Sequence, residues 1–469
     1  MRIGVLAVMA RLVTPHDFGV FSMALIFTSF AERMGQVGVG AAFVQRAAVD
    51  PDDLRTATLL SLVSGVVICA VLTGAAPIAA LIFQEPSLIP VLGVLAVGFI
   101  IDSLGVVSDG MLQRELRFRD IVKAELGSFL FGIVGVGVLL AWFGLGLWAL
   151  VWGNISMRVA KAALLVSIRP PGWDGRWSRE RAKSLLSTGI GFSLGKILNF
   201  LSLQGDNFVV GRILGAEALG MYTRAYQAMT LPAMYVGQAF ERVLFPAMSQ
   251  RQDDPHALRR GFLASLEVST LVGLPVGVLM FALSREIVVV LFGEVWIPVI
   301  PVLGVLSFGV FFRTAYKCSD VVVRSKGDVY SYAARQAWYT AIIVGGACIG
   351  ATMAGLKGVS YAVVLGVAIN YLLMTRLAGR LSETSIGQLL HCHLPGLWVA
   401  VWMGIFLALA LPTIRSVYMT PLGVLISSSC SGFVVAVVAW MSSWILFPDS
   451  FARPTIYRIV KRIRVAWEC

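Results

Sequence analysis

"RLVTPHDFGVFSMA" occupies Arg11 to Ala24, and 201 positions later "RILGAEALGMYTRA" occupies Arg212 to Ala225. The two stretches align without a gap. Arg pairs with Arg, Leu12 with Ile213, Gly19 with Gly220, Phe21 with Tyr222, Ser22 with Thr223 and Ala24 with Ala225. A repeat at that distance marks two halves of one architecture, and the residues around it say which.

Of the 469 residues 58% are hydrophobic and only 14% charged, against roughly a quarter charged in an ordinary soluble domain. Apolar runs near 20 residues recur along the chain, the length a helix needs to cross a hydrocarbon core about 30 Å thick. Stretches such as "ALLVSI" and "VVVLF" lack the apolar–polar alternation of a transmembrane barrel. The fold class is therefore an all-α polytopic membrane protein. Polar breaks give about fourteen spans: 1–12, 18–42, 56–83, 88–111, 120–142, 145–168, 185–211, 217–246, 260–283, 297–318, 332–353, 356–377, 394–413 and 421–446. The first is truncated. In the second copy a long apolar helix, 183–211, precedes the motif, whereas the first copy has only Met1 to Ala10 there, so the chain is expected to start partway through its first helix. For the same reason "MRIGVLAVMA" is not read as a signal peptide. The stretch "SREIVVVLFGEVWIP" is apolar but too short to cross, and is expected along the outer interface.

Lys and Arg in the connections set the orientation. With the second span ending in the cytoplasm, the inner connections hold roughly fourfold more cations than the outer ones, among them Arg114, Arg117, Arg119, Arg169, Arg176, Lys317, Arg324 and the tail after Phe447. The net charge of +12 is thus a matter of topology and needs no nucleic acid. The polar stretch "RPPGWDGRWSRERAK", Arg169 to Lys183, follows six spans and precedes the second copy. An N-terminal lobe 1–168, a cytoplasmic linker 169–183, a C-terminal lobe 184–380, two extra helices within 381–446 and a basic cytoplasmic tail 447–469 follow. Because an even number of spans separates the copies, the lobes are parallel repeats, and the motif is the outer turn between the first two helices of each. Thr14-Pro15-His16-Asp17 offers a capping hydroxyl, a proline at the first helical position and an acid at the third. Gly215 permits the turn in the second copy.

The six cysteines show no paired spacing, so a disulfide framework or zinc site is not expected, and "HCH" at His391 to His393 reads as an interfacial segment. "GFSLGK", Gly191 to Lys196, is one residue short of a phosphate loop and lies in an apolar helix; Gly191 and Gly195 read as a packing face. No hydrolase or nucleotide-binding arrangement is present, so no cofactor is implied.

Charges inside the spans carry the functional signal, since each costs at least about 2.5–3.5 kcal/mol at mid-bilayer and normally faces a wet cavity. Arg33, Arg158, Lys161, Lys196, Arg242, Arg313, Glu32, Asp102, Glu125, Asp206, Glu241 and Asp320 qualify. Lys196 lies thirteen residues past Lys183 and Arg33 thirteen before Arg46, roughly 20 Å of helix and too deep to snorkel. Arg158 and Lys161 are shallower. Lys196, Asn199, Ser202 and Asp206 form one helical stripe, and Ser29, Glu32, Arg33 and Gln36 another. Ion pairs between helices are the alternative role for such charges.

"ARLVTPHDFGVFSMA", "GVGAAFVQR", "STGIGFSLGKILNFLSLQGDNFVVGRILGAEALGMYTRAYQAMTLP" and "FPAMSQ" resemble the bacterial polysaccharide transporters, the Wzx-type flippases of the multidrug/oligosaccharidyl-lipid/polysaccharide exporter superfamily. The resemblance covers nearly the whole chain and is most specific over 183–249. It implies two six-helix lobes in a V around a central cavity, in the bacterial inner membrane. The implied task is moving an undecaprenyl-pyrophosphate-linked oligosaccharide to the outer leaflet for exopolysaccharide, O-antigen or capsule synthesis. Membrane lipids, and the polymerase and glycosyltransferases of the same pathway, are the implied partners. Arg33, Lys196, Arg242 and Arg313 are the candidates for the pyrophosphate, with Asn199, Gln36 and Gln238 for the sugar. Asp206, Asp102 and Glu32 could take Na+ or H+ as the coupling ion. A multidrug exporter is the main rival, although a cationic cavity repels its cationic substrates; a peptidoglycan-precursor flippase is the second. A polymerase or ligase would carry a long outer loop, and every outer loop here is short. The topology predicts that reporter fusions place 169–183 and the tail after Phe447 in the cytoplasm and 412–420 outside; an outward linker would overturn the lobe assignment.

Overall fold

A computed structural model of the chain describes residues 2–35, 49–172, 175–180, 182, 193–250, 254–326, 329–448 and 450–451. The described residues are helical throughout, joined by short turns, with no strand among them. They form two compact units, Met1–Thr223 and Arg224–Cys469. The linker of the lobe reading lies inside the first unit, and its residues 173–174, 181 and 183 fall outside the described residues, as does the basic tail from 452.

In the first unit the helices are α1 (Arg2–Leu12), α2 (Pro15–Gly35), α3 (Pro51–Phe83), α4 (Leu88–Arg114), α5 (Phe118–Trp142), α6 (Leu147–Ile168) and the first part of α7 (Ser193–Ser249). α3 and α4 pack as a hairpin, and α6 lies against both α4 and α5. α5 changes to π-helical winding over Leu130–Gly137. Helix starts follow the sequence. The Thr14 hydroxyl accepts the Asp17 N–H at 3.2 Å and donates to the Asp17 carboxylate at 2.8 Å, with Pro15 opening α2. In α7 the helix breaks at Gly215, whose φ of 86° is open to glycine alone at no steric cost. The chain there reverses, so that segments 193–214 and 216–249 are separate helices.

The turns of this unit gather at two ends. His16 Nε2 meets the Glu85 carboxylate at 3.2 Å, and Asp17 abuts Gly146, so the turns before α2, α4 and α6 share one end. At the other end Arg169 binds Glu115 at 3.0 Å, the Arg176 N–H donates to Asp52 at 2.7 Å and the Ser178 N–H donates to Thr56 at 3.1 Å. The basic connections lie at this second end, with Arg117 held between Glu115 and Asp120.

The second unit comprises the remainder of α7, α8 (Pro255–Ala282), α9 (Ser284–Leu291), α10 (Ile300–Ser307), α11 (Gly309–Ser325), α12 (Val329–Leu381), α13 (Ile386–His391), α14 (Leu394–Val417) and α15 (Pro421–Leu446). Asp254 caps α8 by accepting the Ala257 N–H at 3.0 Å, and this bond holds its carboxyl below the usual range. α12 breaks at Ala354 and Gly355 into two helices. Its core joins α8, α11 and α12 through Phe262, Leu266, Phe311, Cys318, Val322, Tyr371 and Met374. His391 and His393 face different partners: His391 packs edge-on to Phe447 and Phe451, while His393 bonds the Tyr371 hydroxyl at 2.5 Å. Glu267, buried in α8, accepts the Phe451 N–H at 2.8 Å and the Ser450 hydroxyl, tying the end of the described chain to the core.

Among the described residues eight helices are long and apolar enough to cross a membrane, or nine when the pair bent by 42° at Phe308 counts as one span. That measure falls short of the fourteen read from the sequence. α1 has 11 residues, and α2 and α7 carry too many polar groups to pass it. The stretch "SREIVVVLFGEVWIP" is α9 followed by a tight turn over Glu294–Val299, and it is pinned inward. Trp296 is fully buried against Phe292, with ring centroids 5.8 Å apart. Buried Glu286 takes two bonds from Arg415 of α14, Nε at 2.8 Å and Nη2 at 3.1 Å.

Removing that guanidinium strands a buried carboxylate. Arg415→Ala should cost about 1.5–3 kcal/mol, read as a lower melting temperature of the detergent-purified protein, and Arg415→Lys should fall between it and wild type.

Candidate functional site

Arg33 lies in the last described turn of α2, and both it and Glu32 are exposed. Three residues before Arg33, the Phe30 ring packs on Phe200 of α7 with centroids 5.2 Å apart. Lys196 stands four residues before Phe200 on a helix running the other way. The backbones thus bring positions 33 and 196 to the same level, about one helical turn from this ring pair. The side chains of Lys196, Asn199, Glu241 and Arg242, and the whole of Gln36, lie outside the described residues.

Further along α7, Ser202 and Asp206 are buried one turn apart, at 4% and 2% exposure. The Tyr222 hydroxyl donates to Asp206 Oδ2 at 2.7 Å, and the Asn207 N–H donates to Oδ1 at 2.9 Å. The reversal at Gly215 explains the pairing, because residues 206 and 222 stand at nearly equal distances on either side of it. Tyr222 is itself fully buried. Sequence reading selected Asp206 and missed Tyr222; counting outward from Gly215 is the signal that would have found it.

Asp102 and Glu32 occupy a different cluster, between α2, α4, α5 and α6. Arg158 Nη1 donates to Asp102 Oδ2, its Nε donates to Asn154 Oδ1 at 2.9 Å, and its guanidinium lies 5.5 Å from the Phe99 ring centre. Lys161 meets Glu125 at 3.6 Å, and Asp109 accepts from Gln113 at 3.2 Å. Glu32 and Lys161 both stand near enough to act electrostatically on Asp102. Asp102 is therefore half of an ion pair between α4 and α6, as one reading of the buried charges expected.

In the second unit α11 presents one polar face. Arg313, Lys317, Asp320 and Arg324 follow at steps of four, three and four, so they lie along one stripe. Arg313 Nη1 donates to the Tyr226 hydroxyl at 2.5 Å and the guanidinium lies 4.9 Å from that ring centre. Lys317 packs its methylenes beside Gly237 and has no carboxylate partner among the described residues. Asp320 is neutralised by Arg324 at 3.0 Å. Gln238, the next residue after Gly237, is exposed. Lys317 was read from sequence as a connection residue; α11 instead continues through it to Ser325, placing it one turn from Arg313. Tyr226 was not foreseen either. Among the described residues no group of His, Cys, Asp and Glu is arranged to hold a metal ion.

A family described as polysaccharide biosynthesis protein matches residues 8–301, more than half of the chain. The chain is 26% identical over 383 residues to the lipopolysaccharide biosynthesis protein WzxC of Escherichia coli K12, covering 78% of this chain and 75% of that one. It is 26% identical over 325 residues to the teichuronic acid biosynthesis protein TuaB of Bacillus subtilis 168, covering 68% and 67% respectively. In fold it is similar to the lipid II flippase MurJ in an inward closed conformation, with a TM-score of 0.74 at 13% identity over 95% of this chain and 96% of that one. An inward-facing multidrug transporter of the MATE family superposes with a TM-score of 0.65 at 19% identity, covering 82% and 95%. At those identities the structural matches speak for the fold alone. The matched family, and the polysaccharide-biosynthesis relatives spanning two thirds or more of the chain, place this protein in the polysaccharide biosynthesis protein family of membrane transporters, the Wzx type.

Proposed function

We propose that the chain flips an undecaprenyl-pyrophosphate-linked oligosaccharide from the inner to the outer leaflet by alternating access, coupled to an inward cation gradient. The family makes it a transporter rather than an enzyme, acting on lipid-linked polysaccharide precursors. The observation that carries the finer reading is a pair of span cations, Lys317 and Arg33, with no carboxylate partner among the described residues; Arg33 is exposed, and Lys317 stands one turn from Arg313 on the polar face of α11. A pyrophosphate needs such groups, and a cationic drug is repelled by them. The lipid tails can remain in the bilayer while these cations, with Lys196 and Arg242, conduct the headgroup. Asn199, Gln36 and Gln238 supply hydrogen bonds to sugar.

Deleting the gene should abolish the surface polysaccharide and leave its lipid-linked repeat unit on the inner leaflet. Lysis with accumulation of a peptidoglycan precursor would favour the second flippase reading, and unchanged glycolipids would sink both. Within the protein, Arg33→Ala, Lys196→Ala and Lys317→Ala should each cut export at normal protein level. Loss of one charge-assisted contact amounts to about 1.5–3 kcal/mol, roughly ten- to hundredfold in binding. Lys196→Arg should keep part of the activity. Normal export in all three alanine variants would remove these cations from the mechanism.

Asp206 is the first choice for the coupling ion, because its carboxylate is deep and accepts from the Tyr222 hydroxyl and the Asn207 N–H, whereas Asp102 is taken by Arg158. Na+ or H+ at that site would favour one of the two access states, with Glu32 the further candidate. Asn at 206 retains an acceptor for the Tyr222 hydroxyl. Asp206→Asn should therefore insert and fold normally yet lose dependence of transport on the ion gradient, and unchanged gradient dependence would exclude it.

A further inference from the structure

The twice-written turn meets itself. A Cβ on Gly19 would lie 1.7 Å from the carbonyl oxygen of Ala216, and a Cβ on Gly220 would lie 1.9 Å from the carbonyl oxygen of Pro15. In the register of the repeat Ala216 is the counterpart of Pro15, and Gly220 of Gly19. Each glycine therefore sits on the other copy's first helical residue, by the same contact made in both directions. The third contact is between counterparts themselves: Ser22 Oγ and Thr223 Oγ1 are 3.5 Å apart. Reciprocal contacts flanking a self-paired position are the signature of a local two-fold axis, here passing between Gly19 and Gly220. Both glycines are in helical segments with negative φ, so it is the close approach of backbones that excludes a side chain.

We infer that the repeated turn is a self-complementary latch that closes the outer end of the translocation route. On the topology read from the Lys and Arg asymmetry both copies face outward, and on the lobe reading they belong to different lobes. Whatever opens the outer side must part them. The design suits a closure that is tight and reversible. Backbone pressed on two glycines leaves no room for water between the helices, and the side-chain contact there, between the Ser22 and Thr223 hydroxyls at 3.5 Å, is weak. Phe18, Met23 and Tyr222, neighbours of these positions along the chain, are buried. This inference rests on the transport reading for its direction, but the contact can be tested without knowing the substrate.

The test uses the full chain with Cys69, Cys318, Cys348, Cys392, Cys430 and Cys469 replaced, carrying Ser22→Cys and Thr223→Cys together. Oxidation in membranes should link the pair in nearly all molecules, stop export to the level of the deletion strain and be reversed by reductant; the single cysteines should export normally under oxidant. In the Ser22→Cys protein alone, a membrane-impermeant maleimide added outside should react slowly. Adding Gly220→Val, which forces a Cβ into the Pro15 carbonyl, should speed that reaction at least tenfold. A pair that stays reduced, a linked protein that exports normally, or a Gly220→Val protein present at normal level with unchanged labelling would each overturn the latch. Accelerated labelling with no polysaccharide phenotype in any strain would keep the latch and reject the substrate.

Discussion

Backbone amides and carbonyls have no water to bind inside a bilayer, so each reversal of the chain must satisfy its own ends or lie where something else does. The sharpest reversal here is at Gly215, where one glycine turns α7 back on itself. Around it the buried Asp206 finds Tyr222. The same hairpin carries Phe200 to α2 and Phe208 to α3 through ring contacts at 5.2 Å each. Without the reversal, residues 206 and 222 would stand on one helix about 24 Å apart. The carboxylate would then have neither its tyrosine nor its place among the helices of the first unit.

Charges in the spans fall into two kinds. Some are closed between neighbouring helices or within one: Asp102 with Arg158, Glu125 with Lys161, Asp320 with Arg324 and Glu286 with Arg415. Such pairs contribute little net stability when both partners are desolvated, yet losing one partner is costly, so they act as braces. The others, exposed Arg33 and Lys317, which lies over the Tyr316 ring, have no carboxylate partner among the described residues. A cation held by the face of a ring keeps most of its field available to a ligand. The division sorts the span charges more sharply than depth alone, and the proposed substrate site draws on the second kind.

Helical period and the places of the turns were legible in the sequence because they are local. The capped start of α2, the turn at Gly215 and the shared level of positions 33 and 196 all follow from counting along one segment. Partners across helices were not. Arg158 looked shallow enough to snorkel, but α6 packs on α4 in the register that sets it against Asp102. Lys317 lay near a predicted boundary, and only the continuation of α11 to Ser325 shows it to be an interior residue of that face. Nor does any local signal announce the π-helical stretch of α5, which shifts the faces of that helix after Leu130.

The repeat is faithful in its turn but unequal in its wiring. Position 206 of the second copy corresponds to Val5 in the first, and Tyr222 to Phe21. One hairpin thus holds a carboxylate and a phenol where its counterpart holds two hydrocarbons. A duplicated machine with a single ionisable post has odd valence: this position can carry at most one monovalent cation per cycle, never a matched pair. Under the coupling proposed above, the electrical ledger of a transport cycle would be set by the headgroup's own negative charge and by that single positive one. A membrane potential would then act on a charge that one copy of the turn holds and the other lacks.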